Sequence, residues 1–131
     1  MVYKKIFHAL WYWGPPLFWM SFIFLLSNQQ RVSVTQTYLY DFIIFKTLHV
    51  TEFAVLFFLL FRAFHKTNIP LSYQFLFSIV ISILFATSDE THQLFIPTRE
   101  GTIRDILIDT FGIIIMYSIV RKYIKLLKRI L

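Results

Sequence analysis

The sequence predicts an all-α, polytopic membrane protein with four transmembrane helices and with both the N and C termini in the cytoplasm. Hydrophobic residues make up 57% of the 131 residues and charged residues only 15%, whereas soluble globular chains have about 25% charged residues. The mean hydropathy is +0.64. A single domain of this size cannot bury so much apolar surface, so the lipid bilayer is the expected solvent. Cysteine is absent, which excludes disulfides and thiolate metal sites.

Four apolar stretches organise the chain into one membrane domain that covers residues 1–131. The predicted spans are residues 6–26, 42–61, 67–88 and 103–120, followed by a basic cytoplasmic tail at residues 121–131. The first and third spans contain no Asp, Glu, Lys or Arg, and each is long enough for about 30 Å of hydrocarbon. The second and fourth contain ionisable residues, which are costly in lipid and are therefore expected to face the bundle interior or a wet cavity.

The distribution of Lys and Arg near the span ends predicts the orientation. The predicted cytoplasmic segments hold Lys4, Lys5, Arg62, Lys66, Arg121, Lys122, Lys125, Lys128 and Arg129. The predicted outer segments hold only Arg31, Arg99 and Arg104, whereas all seven acidic residues fall in the outer loops or the outer parts of the spans. The basic tail is interpreted as an anchor on anionic lipid, so no nucleic-acid partner is expected.

Polar residues recur at helical spacing in the second and third spans. Lys46, His49 and Glu52 follow one another at i+3 steps and form one polar stripe on the second helix. If the third helix continues to Gln93, the side chain of His92 lies about 60° around the helix axis to one side of that of Asp89, and the side chain of Gln93 lies about 40° to the other side. Glu90 is expected to face elsewhere.

The fourth span begins with a third polar stripe. Asp105, Asp109 and Gly112 lie on one side of the helix, and the glycine allows a neighbouring helix to approach closely. Two carboxylates on one face repel each other unless a proton, a metal or another cation compensates them. The cofactor is unknown from the sequence, and a divalent cation held by these two carboxylates is one candidate.

The three stripes are expected to converge on a pocket that is open to the outer surface. His49 and His92, oriented by carboxylates, are candidates for acid–base catalysis. The full set of catalytic candidates is His49, Glu52, Asp89 and His92. The candidates for binding an anionic substrate are Lys46, Gln93, Arg99 and Arg104. The metal candidates are Asp105 and Asp109.

Each of these residues also has a structural interpretation. Lys46 can extend its ammonium group to the membrane interface, and His49 and Glu52 can form a hydrogen-bonded pair. Asp105 can interact with the positive end of the fourth helix dipole, although Asp109 lies a full turn deeper. Whether the site is catalytic is therefore left open.

Three segments of this sequence resemble the VanZ-like membrane proteins in both spacing and order. The segments are KTLHVTEF (residues 46–53), SDETHQLFIPTR (residues 88–99) and DILIDTFG (residues 105–112). The family patterns are K-x-x-H-x-x-E, D-E-x-H-Q-x-F-x-P-x-R and D-x-x-x-D-x-x-G, and the one departure noted is Phe53, where a tyrosine is usual. The resemblance implies a multi-pass protein of the bacterial cytoplasmic membrane, in a family with one member linked to teicoplanin tolerance and with no agreed reaction.

Three classes of function follow from these residues. In the first, the protein acts on or binds a cell-envelope or lipid-linked anionic substrate at the outer leaflet. In the second, it is an ion-coupled transporter, although the inner half of the bundle has no acidic residue to continue a polar path. In the third, it is a structural or regulatory membrane protein whose polar cluster only locks the helices together. Four helices enclose little space, so a homo-oligomer is compatible with the first class.

Overall fold

The computed structural model of the protein describes residues 2–29, 34, 37–97, 99 and 101–127, and within these ranges all regular structure is helical. The helices are α1 (Val2–Ser27), α2 (Tyr38–His65), α3 (Leu71–Gln93) and α4 (Ile103–Leu127). In the part of the chain that the structure describes, three helical segments are long and apolar enough to cross a membrane, namely Phe7–Ser27, Tyr38–His65 and Leu71–Gln93. The predicted all-α class and four helices are confirmed.

The helix ends differ from the predicted span ends for local reasons. Helix α3 begins at Leu71 because Pro70, with φ −54° and ψ 146°, lies in extended backbone immediately before it. It continues through Asp89 to Gln93, five residues beyond the predicted end at residue 88, because these polar side chains are buried against other helices. Asp89 and Gln93 therefore lie on the same helix, as their predicted shared face requires.

Helix α4 also extends beyond its predicted span and includes part of the basic tail. The helix continues to Leu127, with one non-helical residue, Tyr123, at φ −106° and ψ 15°. Other predicted features lie outside the described residues: Arg31, Glu100, Lys128, Arg129 and the side chains of Lys4 and Lys5.

Helix α2 lies in the middle of the bundle and contacts each of the other three helices. Phe61 of α2 stacks on Phe75 of α3 with ring centroids 4.5 Å apart, and Phe57 meets Tyr117 of α4 edge-on at 6.3 Å. These rings belong to an apolar core that also includes Ile23, Phe53, Leu56, Leu60, Ala86, Ile113 and Val120. The aromatic core lies in the half of the bundle toward the C-terminal end of α2.

Helix α1 packs on α2 and α3 and is mostly exposed. Trp13 meets Phe64 of α2 edge-on at 4.9 Å, and the Trp19 indole Nε1 donates a hydrogen bond of 2.9 Å to the main-chain oxygen of Glu52. The helix continues through Pro15 and Pro16. The apolar side chains that α1 leaves exposed are those that a surrounding bilayer would cover.

Candidate functional site

The polar stripes of α2 and α4 face each other, as their spacing predicts. Lys46 Nζ lies 2.7 Å from Asp105 Oδ1, and both side chains are at most 10% exposed. One turn along, His49 Nδ1 lies 3.5 Å from Asp109 Oδ1 and 3.9 Å from Glu52 Oε2. The two helices run parallel, so residues one turn apart on each helix meet in two successive layers.

A close helix–helix approach brings these layers together. A Cβ atom added at Gly112 of α4 would collide with the main-chain oxygen of Val50 of α2. Only glycine permits this spacing, because the colliding atom belongs to the backbone and cannot rotate away. The predicted role of Gly112 is confirmed.

Asp89 of α3 joins α3 to the C-terminal end of α1 through a hydrogen bond. Its side chain is 1% exposed, and its Oδ2 accepts hydrogen bonds from Ser27 Oγ at 2.7 Å and from Gln93 Nε2 at 3.0 Å. Gln93 therefore orients Asp89 one helical turn away, on the predicted face. Ser27 was not among the predicted site residues, because a neutral hydroxyl at the end of an apolar span carries no distinguishing pattern.

Glu90 is buried in the cluster, and the expectation that it faces elsewhere is wrong. Its side chain is 3% exposed, and its Oε2 accepts a hydrogen bond of 3.1 Å from the backbone N–H of Thr102. One ligand atom from each of His49, Asp89 and Glu90 lies within 4.8 Å of the other two. Helical spacing separates Glu90 from His92, and His92 is the one of the two that lies outside this group of three, against Phe24 of α1.

His92 packs toward α1. Its ring lies against Phe24, with ring centroids 4.4 Å apart, and its buried Nε2 has no hydrogen-bond partner among the described residues. No ion pair joins it to a described carboxylate. Of the four catalytic candidates, the structure brings His49 close to Glu52 and Asp89, whereas His92 lies beside them on another face of α3.

The two arginine candidates have different surroundings. Arg99 donates hydrogen bonds from Nε to the main-chain oxygen of Gln29 (2.9 Å) and from Nη2 to that of Leu26 (3.2 Å). Its Nη1 lies 3.5 Å from Oε1 of Gln93. It thus joins the end of α1 to the connection before α4. The Arg104 side chain is 63% exposed, and its Nε lies 3.6 Å from Asp105 Oδ1.

Several buried polar atoms of the cluster have no hydrogen-bond partner among the described residues. They include both carboxylate oxygens of Asp109, Oδ1 of Asp89, Oε1 of Glu90 and Nδ1 of His49. Buried polar groups are normally paired, and an unpaired one costs about 1–3 kcal/mol. The cluster is thus rich in buried acceptor atoms to which no described residue supplies a donor.

A bundle of helices with apolar exteriors and a buried polar cluster at one end defines a helical membrane-type protein. The VanZ/LLP1 family model matches residues 12–127, which include all three polar segments, and the chain belongs to this family. Comparisons with curated proteins and with solved structures found no significant match.

Proposed function

We propose that the protein crosses the bacterial cytoplasmic membrane four times and uses its polar cluster to bind a cell-envelope or lipid-linked anionic substrate at the outer leaflet. Through this binding the protein affects tolerance to teicoplanin. The observation that carries the proposal is the exposed guanidinium group of Arg104 beside buried carboxylate oxygens that accept no hydrogen bond from a described residue. The arginine suits the anionic group of a substrate, and the oxygens suit its hydrogen-bond donors. A cluster that only locked helices together would satisfy its own hydrogen bonds.

The burial of the charges on α4 supports a fourth span. Asp105 and Asp109 are 5% and 0% exposed, so they do not face the surroundings of the bundle. The exposed residues farther along the helix, Ile114, Ile115 and Ile119, are apolar. Helix α4 therefore presents hydrocarbon outward and charge inward, as a membrane span requires.

The basic residues support the orientation with both termini in the cytoplasm. Arg62 and Lys66 lie at the C-terminal end of α2, and Arg121, Lys122 and Lys125 lie at the C-terminal end of the parallel helix α4. The polar cluster lies at the opposite end. By the positive-inside rule, the basic end is cytoplasmic and the cluster is on the outer side.

Arg104 is the residue best placed to meet an anion first. Its guanidinium group is exposed beside the buried cluster and lies 5.3 Å from the centre of the Phe42 ring. An arginine held over an aromatic ring presents a planar set of donors suited to phosphate or carboxylate. The ammonium group of Lys46 would become available only if its contact with Asp105 opened.

A structural role is the second candidate, and the contacts of Arg99 favour it. Its hydrogen bonds to the main-chain oxygens of Gln29 and Leu26 join the connection before α4 to the C-terminal end of α1. The Lys46–Asp105 pair likewise joins α2 to α4. In this alternative, loss of the cluster would lower the amount of folded protein together with any phenotype.

The orientation is tested by cysteine labelling, because the natural chain contains no cysteine. Val34 and Asn68 are exposed residues in the connections at opposite ends of the bundle, so Val34→Cys and Asn68→Cys are suitable single variants. A membrane-impermeant maleimide is expected to label Val34→Cys in intact cells and Asn68→Cys only after permeabilisation. The reverse pattern would contradict the orientation.

The binding role is tested by teicoplanin susceptibility in a bacterium that expresses the chain. Asp109→Asn removes the charge of a buried carboxylate that accepts no hydrogen bond from a described residue and whose Oδ1 lies 3.5 Å from His49 Nδ1, without changing its shape. Asp41→Asn makes the same change at a carboxylate that accepts hydrogen bonds from the backbone N–H of Val34. We expect Asp109→Asn to abolish the gain in inhibitory concentration at unchanged membrane abundance, and Asp41→Asn to retain it. Parallel loss of abundance would favour the structural role, and no gain with the natural chain would refute the teicoplanin link.

A further inference from the structure

We infer that His49, Asp89 and Glu90 form a binding site for one divalent transition-metal ion, with zinc as the first candidate. One nitrogen or oxygen atom from each residue lies within 4.8 Å of the other two. Three atoms so spaced can lie within about 2.8 Å of a common point, and small side-chain movements shorten this to the ~2.0–2.2 Å of zinc bonds. The site is distinct from the predicted pair of Asp105 and Asp109, since Asp105 is already paired with Lys46.

The two carboxylates are each held by one oxygen and left unpaired at the other. Asp89 Oδ2 accepts hydrogen bonds from Ser27 and Gln93, whereas its buried Oδ1 has no partner. Glu90 Oε2 accepts a hydrogen bond from the N–H of Thr102, whereas its buried Oε1 has no partner. Hydrogen bonds that fix one oxygen and leave the other for an ion are the usual support of metal-binding carboxylates.

Burial of negative charge gives a second reason for an ion at this position. Asp89, Glu90 and Asp109 are at most 3% exposed, and Asp109 lies 3.5 Å from His49. Carboxylates buried this close together need a compensating cation or bound protons. Lys46 is already engaged by its contact with Asp105.

The ligand types select the class of metal. Imidazole nitrogen together with two carboxylate oxygens suits zinc and similar divalent transition metals, whereas magnesium and calcium prefer sites made only of oxygen ligands. Three protein ligands also leave a zinc ion with an open position. That position could accept an oxygen atom of an anionic substrate.

The inference deepens the proposed function, because a metal ion with an open position explains how an acidic cluster can hold an anion. It rests on the proposed function only for the identity of that anion. Its test measures metal alone and includes neither teicoplanin nor an envelope substrate. A failure to bind zinc would therefore overturn the metal site without refuting substrate binding, and an unchanged teicoplanin susceptibility would not refute the metal site.

The experiment measures zinc bound to the purified full-length protein in nanodiscs, by equilibrium dialysis against buffered Zn²⁺ and elemental analysis. We expect one zinc ion per chain. His49→Ala, Asp89→Asn and Glu90→Gln should each weaken zinc binding about 100-fold or more, because each removes one of three ligands. Asp41→Asn should bind zinc as the natural chain does, and excess Mg²⁺ should not displace the zinc.

A further variant keeps the test informative if a ligand variant does not fold. Ser27→Ala retains all three ligands and removes only the 2.7 Å hydrogen bond that orients Asp89, so we expect about tenfold weaker zinc binding. Circular dichroism verifies the helical content of every variant. The inference is overturned if the folded natural chain holds well below one zinc ion per chain, or if His49→Ala and Glu90→Gln bind zinc undiminished.

Discussion

A methyl group added at Gly112 should separate α2 from α4 and destabilise the protein, whereas the same change at Gly14 should not. The Cβ of Gly112→Ala would collide with the main-chain oxygen of Val50, while a Cβ at Gly14 meets no atom within 4 Å. Both glycines lie inside helices, so both substitutions gain about 0.5–1 kcal/mol from helix propensity.

The difference between the two alanine variants therefore isolates the collision. Overpacking costs about 1–3 kcal/mol. We expect the upper half of this range, because neither backbone can move without opening the contacts of Lys46 with Asp105 and of His49 with Asp109. Relative to Gly14→Ala, Gly112→Ala should lower the free energy of unfolding by about 2–3 kcal/mol.

The assay is reversible unfolding of the purified protein in mixed micelles with increasing sodium dodecyl sulfate, followed by circular dichroism. The two variants are measured side by side with the natural chain at equal protein and lipid concentrations. Equal stability of Gly112→Ala and Gly14→Ala would refute the argument, since it would mean that α2 and α4 are not in close backbone contact at Val50.

Three other substitutions test contacts at the same end of the bundle or near it. Lys46→Met should destabilise the fold by about 3 kcal/mol, because it leaves the buried Asp105 with only its 3.6 Å contact to the exposed Arg104, and adding Asp105→Asn should restore much of the loss in the same unfolding assay. Trp19→Phe removes a hydrogen bond of 2.9 Å to α2 and should cost about 1 kcal/mol, measured by the shift of the unfolding midpoint. Arg99→Gln removes charged donors to two main-chain oxygens, so hydrogen exchange near the C-terminal end of α1 should become faster, and unchanged exchange would contradict the contacts described.

Helical spacing predicted which residues of α2 and α4 face each other. The i+3 and i+4 positions of Lys46, His49, Asp105 and Asp109 determine one face on each helix, and the cost of charge in lipid requires both faces to turn inward. Gly112 was predictable for the same reason. These predictions depend only on the geometry of a single helix and on the solvent around it.

The surroundings of α3 could not be predicted in this way. Glu90 and His92 are separated on one helix, but their spacing does not reveal where α1, α2 and α4 lie around it. His92 packs on Phe24 and Glu90 bonds to Thr102, and both contacts are set by how the helices assemble. Ser27 became part of the site through a contact with a residue 62 positions later in the sequence.

The helices are made in chain order, and this order decides when the polar residues of each helix meet their partners. Helix α1 is synthesised first and has no Asp, Glu, Lys or Arg between Phe7 and Ser27, so it can remain alone in lipid while the rest of the chain is made. Helix α2 brings Lys46 and His49 to the membrane before their partners Asp105 and Asp109 on α4 exist. Stable insertion of α2 is therefore expected to wait for α4, and truncation before residue 103 should impair retention of α2 more than that of α1.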